Sequence, residues 1–422
     1  MKIGIVIGRI GGIDGVALET EKWITVLERM GHEVCLLTGL LEGPARNVTL
    51  LPELSFDHPL CEQGQLKAFY DEPVEEAAFL AQLEQETDHI ERGMLQWIED
   101  QGVQCLVSEN ASALPCHLTM GMALGRVFAG TGLPVVAHEH DFAWERGDRY
   151  ETPFAGVRQI IARDFPPRLP NVRHAVINKA ARTSLQQRFG IDDAVVVPNV
   201  MDFDEPVGAR DDYNRDLPAA LGFADDDVLL LQITRIVARK GIETAIDLVH
   251  RLGDPRVKLV ITGTSTDDHK DLYLGQLQEQ VARLWLDAQV LFAGDRFDNN
   301  RRQGDDGGKV YSLWDAYANA TACTYFSTYE GFGNAFVEAV VARRPILVNN
   351  YEPVYWPDIG SLGFETVMIE NAELTDEAVE QARALIFDEA EQRRVAEHNF
   401  ALGQEHFSYQ ALQKILEGLF RA

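Results

Sequence analysis

Two glutamates, Glu330 and Glu338, flank the start of a predicted helix in the stretch that is richest in residues capable of chemistry. Between them, Gly331-Phe332-Gly333 forms a turn after an apolar strand, and the helix is predicted to begin at about Asn334. Glycines allow a ligand to approach the backbone closely, and the amides at a helix start can hold an anion. The stretch is suited to binding a sugar and the ribose of its nucleotide, although two carboxylates on a turn are also compatible with a metal or with acid–base chemistry.

A pair of cations, Arg235 and Lys240, follows the first strand predicted in the second half of the chain. Lys240 lies at the predicted start of a helix, so both side chains are expected where a diphosphate would meet helix amides. A turn with two solvated side chains is the simpler alternative, and Arg239 between them is assigned to solvent. Gly263 ends a later strand and is predicted to lie under a nucleotide base, with a plain turn as the alternative.

Two histidines stand directly after a predicted strand over 134–137, in the sequence His138-Glu139-His140-Asp141. A histidine at the carboxyl end of a strand can hydrogen-bond or polarise a sugar hydroxyl, and His140 is favoured because it lies further into the loop. A structural histidine is the alternative at either position. A metal site would require further ligands at metal spacing, and none stands nearby, so the sequence predicts no metal.

The glycine-rich segment from Gly8 to Gly15 resembles a dinucleotide loop only superficially, because its spacing is not GxGxxG. The next strand ends in Thr38-Gly39, without the acid that would bind a ribose, so a nicotinamide cofactor is disfavoured. A loop that lines a ligand cleft is favoured over a plain tight turn. The ATPase motif GxxxxGK[ST] and the hydrolase motif GxSxG do not occur in the sequence.

Composition narrows the classes of partner. The 422 residues carry a formal net charge of −28, which disfavours nucleic acid and anionic membranes because their phosphates would be repelled. The five cysteines are scattered without a CxxC pair, and the apolar amino terminus is a short predicted strand without a cleavage site. These features predict a protein of a reducing compartment, the cytoplasm, with no stable association with membranes.

Predicted strands and helices alternate along both halves, which is typical of parallel sheets covered by helices on both faces. A stretch rich in Pro, Asp, Glu and Asn at 198–218 is predicted to link two domains, 1–198 and 199–404. Each is expected to be a doubly wound α/β domain, and the two are expected to face a cleft. Within them, 138–171 and 295–309 are predicted as loops and 310–318 as a helix.

Taken together, these pieces resemble the retaining GT-B glycosyltransferases of family four, glycosyl transferases group 1. The residues that carry the resemblance are the glycine loop, the first-domain histidine, the R-x4-K-G element at Arg235 and the E-x7-E element at Glu330. It implies two Rossmann-like domains and a final segment, about 405–422, that packs back on the first. The sequence departs from the family at 350–358, where a small glycine-rich turn is usual.

The resemblance also implies roles for individual residues. Arg235 and Lys240 would stabilise the leaving diphosphate, Glu330 and His140 would contact the transferred sugar, and Glu338 would bind the ribose. The donor would further be cradled by Gly331, Phe332, Gly333 and Asn334, with Gly263 beneath its base and Gly11 and Gly12 approaching its diphosphate. The implied reaction retains anomeric configuration, needs no metal, and has a nucleotide sugar as co-substrate and no other cofactor.

The acceptor is less well defined. Basic residues in or after loops at strand ends of the first half are candidates to bind an acceptor phosphate: Arg9, Arg146, Arg149, Lys179 and Arg182. A small, soluble, phosphorylated sugar is therefore predicted, with transfer from UDP-glucose to fructose 6-phosphate, as in sucrose-phosphate synthase, slightly favoured. The alternatives are GDP-mannose-dependent transfer to a glucosylglycerate-type, lipid or polysaccharide acceptor, a nucleotide-sugar epimerase on the same fold, and a non-catalytic binding module.

Overall fold

The computed structural model describes residues 1–12, 14–70, 74–264, 270–304 and 307–421. The chain divides into two compact units, one formed by Met1–Asn199 together with Leu412–Ala422 and the other by Val200–Ala411. Each unit is built on a parallel sheet with helices, so the predicted pair of Rossmann-like α/β domains is confirmed. Within the described ranges, no helix is both long and apolar enough to cross a membrane.

The first unit contains a seven-stranded parallel sheet in the order β3-β2-β1-β4-β5-β6-β7. Its central strands are continuous apolar runs, and Ile3, Ile5 and Val107 are completely buried because helices cover both faces. The strands are β1 (Lys2–Gly11), β2 (Glu33–Glu42), β3 (Val48–Leu50), β4 (Cys105–Glu109), β5 (Val135–Glu139), β6 (Val172–Val176) and β7 (Val195–Val196). The helices are α1 (Gly15–Arg29), α2 (Pro59–Phe69), α3 (Glu76–Gln101), α4 (Leu118–Thr131), α5 (Ala155–Asp164) and α6 (Lys179–Phe189).

The second unit contains a six-stranded parallel sheet in the order β10-β9-β8-β14-β15-β16 and a small sheet in the order β11-β13-β12. The larger sheet is formed by β8 (Val228–Gln232), β9 (Val257–Ile261), β10 (Val290–Phe292), β14 (Ala322–Tyr325), β15 (Ile346–Asn349) and β16 (Val367–Ile369), and the smaller by β11 (Phe297–Asp298), β12 (Arg302–Gln303) and β13 (Lys309–Ser312). The helices are α7 (Leu217–Ala220), α8 (Ile242–Leu252), α9 (Lys270–Arg283), α10 (Leu313–Asn319), α11 (Asn334–Val341), α12 (Tyr355–Asp358), α13 (Asp376–Ile386), α14 (Glu389–Phe407) and α15 (Tyr409–Leu419). The division between the units falls within α15.

Three predicted elements differ from the structure. The predicted loop over 138–171 contains helix α5, and the predicted loop over 295–309 contains β11 and β12, with positions 305 and 306 outside the described residues. The predicted helix over 310–318 is strand β13 followed by helix α10. The break falls at Ser312 because its hydroxyl accepts a hydrogen bond from the Asp315 amide at 3.2 Å, while the Asp315 carboxylate accepts from the Ser312 amide at 2.8 Å. This reciprocal cap fixes the start of a helix.

Candidate active site

The carboxylate of Glu330 is held between two cations in the second unit. Lys240 Nζ forms a short ion pair with Glu330 Oε1, and Arg239 donates to Glu330 Oε2 at 3.1 Å. Only 11% of the Glu330 side chain and 12% of the Lys240 side chain are exposed. Arg239 was assigned to solvent from the sequence; it instead also donates to the Tyr329 carbonyl at 2.9 Å, which ties it to the turn before α11. Arg235 is exposed.

Burial tends to raise the pKa of Glu330, but the charge and hydrogen bond of Lys240 together with the charge of Arg239 outweigh burial and lower it. The glutamate is therefore a carboxylate at neutral pH, and both of its oxygens accept from cations. Burial lowers the pKa of Lys240, whereas Glu330 opposes that effect. The ring of Tyr325 lies 5.9 Å from Lys240 Nζ and adds a cation–π contact. A carboxylate whose two oxygens both accept from cations is suited to binding and orienting a ligand rather than to nucleophilic attack.

A backbone scaffold fixes the loop that carries these cations. Gly241 has a φ of +61°, and a Cβ at this position would lie 2.2 Å from the carbonyl oxygen of Phe326. Only glycine permits that backbone conformation together with such a close approach to β14. The buried side chain of Gln232 donates to the Lys240 carbonyl at 3.2 Å and accepts from Thr324 at 2.6 Å. The Arg239–Lys240 loop is therefore locked to the ends of β8 and β14.

The predicted donor cradle lies at the start of α11. Gly333 precedes the helix, and a Cβ there would lie 2.2 Å from the Tyr351 hydroxyl, which donates to the Phe332 carbonyl at 2.9 Å. Thus the unusual 350–358 segment supplies a tyrosine that supports the glycine turn. Glu338, inside the helix, accepts at 2.9 Å from Tyr317, whose pKa is raised by burial and by the glutamate's charge. Gly331 and Asn334 complete the turn, and Phe332 is buried.

Gly263 follows the end of β9, and a Cβ at this glycine would lie 1.8 Å from the Thr234 carbonyl oxygen. Gly263 therefore packs directly against the backbone of Thr234, the residue before Arg235. This close packing accounts for the glycine without a ligand, and its predicted place beneath a nucleotide base stays a prediction.

In the first unit, three buried side chains converge at the ends of β4 and β5. Glu109 is paired in register with His138, and His140 follows two residues later, so their side chains share one side of the sheet. His138 Nδ1 lies 2.9 Å and His140 Nε2 3.8 Å from Glu109 Oε2, while the His138 ring stacks on Trp23. The intervening Glu139 pairs instead with His174 at 3.0 Å. Glu109 was not recognised from the sequence, although it ends a buried strand.

The electrostatics of this cluster are unusual. Burial alone would raise the pKa of Glu109, but His138 and His140 hold it at about 2. Burial lowers the pKa of His140. Among the described residues, Glu109 Oε1, His138 Nε2 and His140 Nε2 are buried without a hydrogen-bond partner. Ligand atoms of the three side chains lie within 4.8 Å of one another, so these residues are the ones that could hold a metal ion; the expected absence of a metal stays a prediction.

A cavity of about 280 Å³ opens beside Glu109. Three of the predicted acceptor-binding residues line it, namely Arg9, Arg146 and Arg149, whereas Lys179 and Arg182 belong to α6 and are not among its lining residues. Asn110 also lines it and accepts from the His140 amide at 3.0 Å, which links the cavity to the histidine cluster. The structure thus brings together three of the five predicted basic residues.

In the glycine-rich segment of the first unit, close contacts with Glu42 require glycine at two positions. Gly11 ends β1 with a φ of +86°, and a Cβ there would lie 1.8 Å from the Glu42 carbonyl oxygen. A Cβ on the next residue, Gly12, would lie 2.3 Å from a Glu42 carboxylate oxygen. The residue that follows lies outside the described residues. The contacts with Glu42 account for both glycines structurally, and the predicted approach to a diphosphate stays a prediction.

Comparison with known proteins identifies the family to which the chain belongs. A family model described as glycosyl transferases group 1 matches residues 214–399, which include Lys240, Glu330 and Glu338. A mannosylglucosylglycerate synthase of Thermotoga maritima is 34% identical, with 99% of each chain covered. The chain belongs to the glycosyl transferases group 1 family. It is therefore a glycosyltransferase, as predicted.

Other relatives extend this similarity. A mannosylglucosylglycerate synthase of Petrotoga mobilis is 32% identical over 87% of this chain and 86% of the relative. Among solved structures, sucrose-phosphate synthase from Thermosynechococcus elongatus has a TM-score of 0.66 at 15% identity, with 100% of this chain and 98% of that chain covered. Anabaena HepE in complex with UDP and glucose has a TM-score of 0.65 at 17% identity, with 99% of each covered. At these identities the structures establish the fold alone, which is GT-B.

Proposed function

We propose that this glycosyltransferase transfers a mannosyl group from GDP-mannose to a glucosylglycerate-type acceptor. The observation that carries the proposal is the similarity to two mannosylglucosylglycerate synthases, one of them over 99% of the chain. The sequence alone slightly favoured UDP-glucose and fructose 6-phosphate. That alternative now has weaker support, because the similarity to sucrose-phosphate synthase is one of fold at 15% identity.

On this proposal the donor binds the second unit. Lys240 and Arg235 face the diphosphate together with the amides at the start of α11, Glu330 contacts the transferred sugar, and Glu338 binds the ribose. When the bond between the anomeric carbon and the diphosphate oxygen breaks, negative charge develops on the diphosphate and these cations stabilise it. No metal ion is needed at the diphosphate, because side-chain cations and helix amides supply the positive charge.

The acceptor hydroxyl attacks the face that the diphosphate leaves, so anomeric configuration is retained. Its proton passes to the departing phosphate oxygen, and GDP and the glycoside are the products. The ion pairs on both oxygens of Glu330 support a mechanism without a glutamate nucleophile at this position. His140 orients the transferred sugar, and its neutral imidazole, favoured by burial, which lowers its pKa, is suited to hydrogen bonding with a hydroxyl.

A matrix of donors and acceptors tests the proposal. Purified protein is incubated with GDP-mannose or UDP-glucose, each with glucosylglycerate, with fructose 6-phosphate or with no acceptor, and products are identified by mass spectrometry. We expect a mannosylated product only from GDP-mannose with glucosylglycerate, and its anomeric configuration by NMR should match that of the donor. A new nucleotide sugar formed without an acceptor would contradict transfer and support an epimerase. Product from UDP-glucose and fructose 6-phosphate alone would reinstate the other transferase.

A further inference from the structure

We infer that the cavity beside Glu109 binds the acceptor's carboxylate through Arg149, and that it selects a singly charged acid over a phosphate ester. The inference rests on the proposed function and names the acceptor chemistry of that same enzyme. It replaces the phosphorylated acceptor predicted from the sequence. Of the three arginines that line the cavity, Arg149 is the one that no acid of the described residues neutralises.

Two of the arginines are already neutralised. Arg9 donates to Asp14 at 3.2 Å, and Arg146 forms a short ion pair with Asp141. Asp14 also caps α1 by accepting from the Val16 and Ala17 amides at 3.0 and 3.1 Å. Because the cap holds Asp14 in place through Oδ1, its Oδ2 stays beside Arg9.

The acid partner of Arg146 is also held in place. Asp141 accepts from the side-chain amide of Asn110 at 3.2 Å, and the other side of that amide accepts from the His140 backbone. Only 13% of the Asp141 side chain is exposed. These contacts hold Asp141 in place as the ion-pair partner of Arg146.

Arg149 differs from both. Its side chain is exposed and lies over the ring of Tyr150, with the guanidinium carbon 5.6 Å from the ring centroid. Within the ranges that the structure describes, it forms no ion pair with a carboxylate. A guanidinium that lies over an aromatic ring at this distance keeps its N–H groups available for a carboxylate, which it can bind through two parallel hydrogen bonds.

The charge of the cavity wall limits the ligand's charge. Arg9 and Arg146 are paired with Asp14 and Asp141, so Arg149 supplies the one positive charge of the wall that no acid of the described residues neutralises. A phosphate ester carries about −1.5 to −2 at neutral pH, which is more than one arginine compensates. A carboxylate carries a single charge and matches Arg149 alone.

Neutral groups on the wall suit the rest of a sugar acid. Tyr150 is buried, and burial raises its pKa to about 12, so its phenol keeps its proton and can donate to a hydroxyl. Gln65 lines the same cavity and offers an amide. The volume of about 280 Å³ is close to the lower end of the range for small-molecule sites, roughly 300–1,000 Å³, and favours a small acceptor over a polymer.

The test compares related acceptors that carry different charges. Initial rates with GDP-mannose are measured for glucosylglycerate, its phosphorylated form and the neutral glucosylglycerol, in the parent protein and in Arg149→Ala and Arg149→Lys. We expect Arg149→Ala to raise KM for glucosylglycerate about 10- to 100-fold, the effect of losing a charged hydrogen bond, and to leave KM for glucosylglycerol within about twofold. Arg149→Lys should recover part of the loss. Arg92→Ala on α3 is the matched control, because this arginine is exposed and donates to the Asp88 carbonyl of its own helix.

Equal losses for the acid and the neutral acceptor in Arg149→Ala would overturn the inference, because they indicate a structural role. Preference of the parent protein for the phosphorylated acceptor would also overturn it. If GDP-mannose gives no transfer with any acceptor, the proposed function fails, and calorimetric titration of glucosylglycerate in the presence of GDP then decides the inference. Binding that Arg149→Ala weakens at least about tenfold supports it; absence of binding to the parent protein overturns it.

Discussion

The two sites hold their arginines and lysines in opposite ways. Around Glu330, the cations Lys240 and Arg239 come from a loop that Gln232 of β8 holds in place, and they pair with a glutamate that is 90 and 91 positions away along the chain. In the cavity of the first unit, Arg9 is neutralised by an acid only five residues away, and Arg149 is exposed on a short helical turn. The first arrangement is rigid and shared between elements; the second is local and open to solvent.

The difference matches what each site is proposed to bind. A diphosphate and a ribose are common to UDP and GDP sugars, so a buried and preorganised site can bind them in every turnover. An acceptor changes from one enzyme to the next, and exposed loop residues can vary without disturbing a core. Specificity for the acceptor is therefore expected to depend on few side chains, of which Arg149 is one. Loss of a donor-side cation should lower turnover equally with any acceptor.

The largest predicted effect is on the donor side. Lys240→Ala and Arg235→Ala should each lower turnover by about two orders of magnitude or more, because each removes a charge contact to the departing diphosphate. The loss should be the same for acidic and neutral acceptors, and it is measured as the initial rate at saturating acceptor. This uniform loss distinguishes the donor site from the Arg149 cavity.

Lys258→Ala is the control for Lys240. Lys258 is similarly little exposed, at 13%, and pairs with Asp227 at 3.8 Å in the same unit. Lys258→Ala should retain near-normal turnover even if the loss of this ion pair lowers its melting temperature. Near-normal rates in both Lys240→Ala and Arg235→Ala, with the fold intact by circular dichroism, would refute the assignment of the diphosphate.

An intermediate effect is predicted for the buried Glu109, which is the exception to the local character of the first site. Its pKa is depressed from 4.5 to about 2, so its contribution to stability is complete above pH 4.5 and is lost as pH falls toward 2. At about 1.4 kcal/mol per pKa unit, the contribution is on the order of 3 kcal/mol. Near neutral pH, Glu109→Gln should therefore have a lower free energy of unfolding than the parent, measured by urea denaturation. The difference between the two free energies should shrink below pH 4.5.

Glu99→Gln, on the exposed end of α3, provides the comparison for Glu109 because it removes a carboxylate without breaking a buried pair. Its stability should follow the parent at every pH. A gap between Glu109→Gln and the parent that stays constant from neutral pH to below pH 4 would show that the histidines do not stabilise the charge of Glu109.

The smallest predicted effect is that of a chelator. Prolonged dialysis against EDTA should leave turnover within about twofold, because side-chain cations and helix amides neutralise the diphosphate. A loss that added Zn²⁺ or Mn²⁺ restores would contradict this expectation. If Glu109→Gln then removed the restoration, the ion would be placed at the Glu109, His138 and His140 cluster.

Much of the architecture could be predicted from the sequence, because strands and helices depend on patterns among residues that are close together along the chain. Short apolar runs alternate with stretches of helical periodicity, and the strand predicted over 134–137 corresponds to β5, Val135–Glu139. The helix predicted over 310–318 was placed too early at its start, because the cap formed by Ser312 and Asp315 begins the helix at Leu313 and the apolar residues before it are in β13. Helix α5 was missed because its segment is polar and follows a long run of aromatic and charged residues.

By itself, the sequence determined the two α/β domains and the elements that carry Lys240 and Glu330, since chemistry at the carboxyl ends of parallel strands follows from local pattern and spacing. The tertiary structure alone decided which charges meet. Arg239 is bound to a glutamate 91 positions away, Glu109 joins a histidine 29 positions away, and only Arg149 of the three cavity arginines lacks an acid among the described residues. The reason is physical: an ion pair depends on distance in space and on burial, and neither can be read from separation along the chain.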